Sequence, residues 1–178
     1  MNNQIQYLSQ FENLDTLIFS LLTRQQTIIV GSKNDCVEFF EEIKQILPKV
    51  LLQHLNLGEK IGESVVVCLN ETEENMVFLD KHQHEFTIIF LETKEVYGSF
   101  TAKLCKKVEK LIKEDKLQLA KKEIELFYRT ATENDELMNP ADYASKYGVN
   151  KGDASLLMWI RVLHLGKNPN DYVNNNVW

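Results

Sequence analysis

What this chain has little of narrows its chemistry first. It is short of positive charge: 20 Lys and Arg against 26 Asp and Glu give a net charge of −6 and a pI of about 5.3. That balance argues against general nucleic-acid binding. Cysteine is scarce: Cys36, Cys68 and Cys105 lie far apart, without metal-ligand spacing. They are expected to be core thiols in a reducing compartment. No apolar run approaches the roughly 20 residues of a membrane span. Met1-Asn-Asn-Gln4 does not have the charged-then-apolar order of a secretion signal. A cytoplasmic protein is expected. Glycine motifs are missing as well, both the three-glycine dinucleotide fingerprint and the P-loop lysine-serine. A Gly-x-Ser-x-Gly nucleophile turn is also lacking, and no internal repeat or low-complexity linker occurs.

What is present begins at Thr27-Ile-Ile-Val30, an apolar, β-branched run suited to a strand buried on both faces. Gly31 ends it at a sharp reversal. Ser32, Asn34 and Asp35 are competent N-caps, and Val37, Phe40, Ile43 and Leu47 then recur at helical spacing until Pro48 forbids continuation. This is the opening half of a βαβ unit. Ahead of it, Ile5, Leu8, Phe11, Leu14, Ile18, Leu21 and Leu22 mark one helix over residues 4–24.

Beyond Pro48, Val50–Leu52 is expected to be a short strand and Leu57–Gly62 a turn. Ser64–Leu69, Met76–Leu79 and Glu85–Leu91 are expected strands, with a hairpin tip at Glu71–Asn75. Their spacing predicts an antiparallel meander attached to the parallel pair. From Gly98 the pattern turns helical. Phe100, Leu104, Val108, Leu111 and Ile112 share one face, crowded by Lys103, Lys106, Lys107, Lys110 and Lys113. A second helix turns Leu117, Ala120, Ile124, Phe127, Tyr128 and Ala131 inward. Asn139-Pro140 opens a third that stops at Gly148. The last, Asp153–Leu165, is apolar nearly all round, interrupted only by Arg161 and His164, and so is buried among the others. In the asparagine-rich tail, Tyr172 or Trp178 is expected to dock. The expected architecture is α/β: a small mixed β-sheet with flanking helices and a Rossmann-like core, then a helical C-terminal half. Residues 1–96 form the α/β core and residues 97–178 a helical subdomain packed on it.

Candidate chemistry is thin. A helix N-terminus beyond a strand attracts anions, which makes the Gly31 turn the best enzyme or nucleotide-binding candidate. A lone glycine there is more often geometry, and Asp35 would repel phosphate. His82 and His84 alternate as metal ligands would on a strand, but no third ligand stands nearby. Cys36 near a helix N-terminus could be acidified, yet packs more naturally in the core. Glu41-Glu42 and Glu73-Glu74 are wet acid pairs. His54 and His164 are lone. The sequence therefore assigns no catalytic, cofactor-binding or metal residue. The lysine face from Lys103 to Lys113 is either a solvated surface or a basic patch for an anionic membrane or acidic partner.

Three stretches together resemble the C-terminal DENN-type domain of the folliculin family. They are Phe11–Leu22 with Thr27–Gly31 and the helix to Pro48; Val65–Leu69 and Phe86–Phe90 with Leu104–Ile112; and Tyr143–Gly148 with Asp153–Ile160. The resemblance covers about residues 10–165. It implies a regulator of small GTPases: nucleotide exchange on Rab-type, or GTPase activation on Rag- or Arf-type, partners, in membrane trafficking and nutrient signalling. It implies a longin–DENN heterodimer partner and recruitment to lysosomal or other endomembranes. In that family the longin module carries the arginine finger, and the present sequence starts at the DENN portion. Arg24 and Arg129, expected at the surface, and Arg161, on the buried closing helix, inherit no such role. The chain is accordingly expected to be a non-catalytic interaction domain needing no cofactor. Sheet edges and the lysine helix are the expected surfaces.

Overall fold

The computed structural model describes residues 7–173. At its centre lies β1 (Thr27–Val30), all four residues buried. It pairs in parallel with β3 (Val66–Leu69) on one side and β4 (Thr87–Phe90) on the other, Thr27 standing opposite both Val66 and Thr87. β2 (Leu57–Gly58) joins β3 in parallel and β5 (Glu95–Tyr97) joins β4 antiparallel, so the order is β2-β3-β1-β4-β5. Successive side chains of a strand point to opposite faces. Ile28 and Val30 accordingly join Val67 and Ile88 in one apolar cluster, while Ile29 joins Val66 and Ile89 in another.

Each face is covered by a helix from a crossover. Between β1 and β2, α2 (Lys33–Lys44) buries Cys36, Phe39, Phe40 and Ile43 in the larger cluster. Between β3 and β4, α4 (Glu73–Lys81) places Leu79 in the smaller one, on the opposite face. This corrects the expected meander: Met76–Leu79 is helical, and its neighbours are parallel. The cause is local, since the Thr72 hydroxyl accepts from Asn75 N at 3.1 Å and Glu73 and Glu74 occupy the first turn, the pattern of a helix start. Likewise Val50–Leu52 lies in α3 (Lys49–Leu52), not in a strand, and the edge strand β2 occupies part of the expected turn. The stripe of α2 is shifted from the expected one, leaving Val37 41% exposed.

The expected first helix is interrupted. A 3-10 turn at Leu8–Gln10 ends before Asn13, at φ 60°, and α1 begins anew as Leu14–Leu22. Phe11 stays in the core against the Phe39 ring, 4.9 Å between centroids. The cap of α1 comes from far away in sequence: Leu14 N donates to Glu109 Oε2 at 2.9 Å. Glu109→Ala is expected to cost about 1 kcal/mol, the usual loss for a helix cap, measured as a lower urea midpoint; an unchanged midpoint would contradict the cap.

The C-terminal half consists of α5 (Lys103–Lys113), α6 (Leu117–Thr132), α7 (Pro140–Tyr147), α8 (Lys151–His164) and the short α9 (Asn170–Val173). α5 starts later than expected, leaving Phe100 outside it and 51% exposed beside Phe19 and Trp159. Its N-terminus is held by the last long helix, Leu104 N donating to Asp153 Oδ1 at 3.0 Å. The Asn139 cap, Pro140 at the helix start and left-handed Gly148 all stand as the sequence indicates. Leu104, Val108, Ile124, Tyr128 and Ile160 share the larger cluster with α1, α2 and the sheet, so one core runs through both halves. Ile5 and Trp178 lie outside the described residues, as does the side chain of Tyr172.

Candidate functional site

Parallel strands ending side by side leave a crevice where the chain crosses first to one face and then to the other. Here the ends of β1, β3 and β4 are followed by Gly31, Asn70 and Leu91, which line a cleft of about 470 Å³ with Tyr7, Ser32, Asp35, Glu71, Glu92 and Lys94. The expected Gly31 turn therefore sits where an α/β ligand site would form.

Its chemistry differs from that of a phosphate cradle. A Cβ on Gly31 would come within 2.8 Å of Leu91 Cδ1, so the glycine accommodates a core leucine. The first turn of α2 is already capped, with Asp35 N donating to Ser32 Oγ at 3.2 Å. Three carboxylates, Asp35, Glu71 and Glu92, face one lysine, Lys94, a balance that attracts cations rather than phosphate. The acidity extends along α2, where Glu38, Glu41 and Glu42 line an adjoining groove with Tyr7. Burial, helped by Asp35, Glu38 and Glu42, pushes the Tyr7 hydroxyl above its ordinary range.

Glu42 supports the 3-10 turn by accepting from Tyr7 N and Leu8 N at 3.1 and 3.0 Å. Burial nevertheless outweighs those bonds and raises its carboxyl pKa. A raised carboxylate pKa means that the folded state holds the proton longer than the unfolded one. Stability at Glu42 is thus fully present below the ordinary carboxylate value and falls as pH rises through the raised one. Glu42→Gln is expected to flatten this segment of the stability–pH curve, from the ordinary carboxylate range upward. Parallel wild-type and variant curves in urea titrations would refute that.

Beneath the crevice, Cys36 and Cys68 form a disulfide with Cα atoms 6.1 Å apart. The expectation of unpaired thiols is corrected for these two. The first turn of α2 carries Cys36 back over β3, whose register places Cys68 beside Ile29. Cys105 remains a free, buried thiol whose pKa is pushed up by burial and then by Asp153 and Asp15.

The histidine pair is not brought together as a metal site. His82 caps the end of α4 and pairs with the Glu85 carboxylate. Among the described residues no group of three His, Cys, Asp or Glu is placed to hold a metal. On α5 all five lysines are exposed. Lys107 meets Glu123 at 3.1 Å and Lys113 meets Glu109 at 3.4 Å, while Lys103, Lys106 and Lys110 have no carboxylate within 4.0 Å among the described residues. Arg129 is exposed and Arg161 buried as expected, whereas Arg24 is partly buried. Sequence reasoning found Gly31 and Asp35 but missed Glu71, Glu92 and Lys94. The available signal was position, since Glu71 and Glu92 follow closely on the strand ends. No helix among the described residues is long and apolar enough to cross a membrane.

Compared with known proteins, the chain matches no protein-family model and no curated protein.

Proposed function

We propose that this chain is a folliculin-like DENN module acting as a non-catalytic interaction domain in small-GTPase regulation, binding a longin–DENN partner or a Rab- or Rag-type GTPase. The observation that carries the reading is the shared core. The three stretches that resemble the family, distant in sequence, contribute Phe11, Ile29, Phe39, Val66, Ile89, Val108 and Ile160 to one cluster. The crevice supports it from the other side, because an acidic cleft with a leucine-filled glycine turn suits a basic protein segment better than a nucleotide phosphate. An acidic crevice and a lysine face on α5 would give a partner two surfaces of opposite sign. Cytoplasmic residence with recruitment to endomembranes belongs to the same reading.

The test is biolayer interferometry of the purified chain against longin–DENN proteins and nucleotide-loaded Rab and Rag GTPases. Saturable binding, weakened both by salt and by reversing Asp35, Glu71 and Glu92 or Lys103, Lys106 and Lys110, with the GTPase's own turnover unchanged, is the expected result. Failure of every partner to bind, with a nucleotide instead raising the melting temperature by mass action, would transfer the function to the Gly31 turn.

A further inference from the structure

At the opposite end of the sheet, where β1 and β3 begin, a cleft of about 490 Å³ is lined by Arg24, Gln26, His54, Asn56, Glu63 and Ser64, a volume typical of small-molecule sites. One wall is fixed by Gln26, whose Nε2 donates to Ser64 O and Val65 O at 2.8 and 2.9 Å while its Oε1 accepts from Gly62 N at 2.9 Å.

Arg24 is the unusual member. It follows α1 at the position where helices turn left-handed, with Arg24 N bonded to Leu21 O and Gln25 N to Ser20 O, and its φ is 54°. Glycine is the low-cost residue there, and α8 does end on Gly166 at φ 74°. Asp115 takes the same backbone after α5, so conformation alone does not single Arg24 out. Its side chain does: Arg24 Nε is buried without a hydrogen-bond partner, the only such side-chain nitrogen or oxygen among the described residues. Buried donors are ordinarily satisfied, and an unsatisfied one calls for an explanation.

The surroundings indicate what would satisfy it. Arg24 and His54 both line the cleft; burial, and then the Arg24 charge, push the His54 pKa below its ordinary value, so one fixed positive charge and an imidazole that a bound anion would help to protonate converge there. Its one lining carboxylate, Glu63, is engaged through Oε1 with Glu59 N at 2.7 Å. We propose that this cleft binds a phosphoryl-type oxyanion, carried by a small metabolite, through the Arg24 guanidinium, the His54 imidazole and the Asn56 amide. Guanidinium forks match tetrahedral oxyanions with paired, charge-assisted hydrogen bonds. The site lies away from the acidic crevice and stands independently of the interaction-domain reading.

The test is an NMR titration of the full chain with inorganic phosphate, with acetate as a carboxylate of the same charge sign. The expected result is saturable shifts at Arg24, His54 and Asn56 in the millimolar range, and a His54 pKa that rises by about one unit when the anion is bound. Arg24→Gly should abolish both effects while melting no lower than wild type, because glycine relieves the left-handed backbone. Shifts that fail to saturate, that persist in Arg24→Gly, or that acetate produces at the same concentrations would overturn the proposal.

Discussion

Replacing Arg161 with methionine is expected to lower the unfolding free energy by about 3–5 kcal/mol, from main-chain carbonyls that cost about 1–3 kcal/mol each when left dry. Arg161 is fully buried in the last turn of α8, and what it neutralises is backbone. Its Nε donates to Ala131 O at 2.8 Å, Nη1 to Glu136 O at 2.7 Å, and Nη2 to Thr130 O at 3.1 Å and Tyr147 Oη at 3.0 Å. Thr130 and Ala131 belong to the last turn of α6, where carbonyls have no amide of their own helix to accept from and carry the negative end of the dipole. The rings of Tyr143 and Tyr147 lie 5.2 and 5.7 Å from the guanidinium carbon, adding cation–π attraction. One side chain thus ties the end of α6, the following loop and α7 to α8. Methionine fills much of the volume and supplies no donor. Lysine keeps the charge but cannot reach three diverging carbonyls, so Arg161→Lys should recover only part of the loss. By contrast, Lys146 and Glu136, 2.8 Å apart at the surface, should contribute little when removed. Urea denaturation would decide: a shift of the Arg161→Met midpoint worth under about 1 kcal/mol, the value of a single ordinary hydrogen bond, would refute the clamp.

Arg161 also shows where sequence reading stops. Its place on a buried helix is legible from the apolar residues around it. Its partners are not, because they lie 14–31 residues away and are mostly carbonyls, which every residue has. Local chemistry elsewhere is read well: Thr27–Val30, the Asn139 cap and Gly148 all stand where their residue types put them, and of the three competent caps after Gly31 it is Ser32 that serves. The failures share a cause, a non-local partner deciding between two locally acceptable states. Met76–Leu79 is too short for periodicity to tell strand from helix, and the parallel register of β3 and β4 with β1 settled the topology. The stripe through Phe11 continues across a break that Asn13 and the distant Glu109 create. In the crevice, Gly31 and Asp35 are visible from the turn. Glu71 and Glu92 join them only because their strands end beside β1.

Reduction of the Cys36–Cys68 bond is expected to lower stability by about 3–4 kcal/mol at 25 °C, the chain-entropy value for a loop of this size. The two residues are 32 apart, and the loop they close contains most of α2 with all of α3 and β2, so the cross-link restricts a large part of the unfolded chain. Thiol counting in denaturant gives the direct check: one reactive thiol, Cys105, before reduction and three after. Three thiols without reductant would show that the pair is open. The double variant Cys36→Ala, Cys68→Ala should unfold at the same urea concentration as reduced wild type, which separates loss of the bond from any effect of the reductant itself. Cytosolic conditions favour the dithiol; Cys36 is fully buried and Cys68 only partly, so a small thiol reaches the bond from the Cys68 side. Because the α2 start carries Ser32 and Asp35 into the crevice, the bond fixes one wall of the acidic cleft to the end of β3. Amide exchange at Ser32–Cys36, beside the bond, should therefore accelerate on reduction more than exchange on α7 and α8 in the helical half.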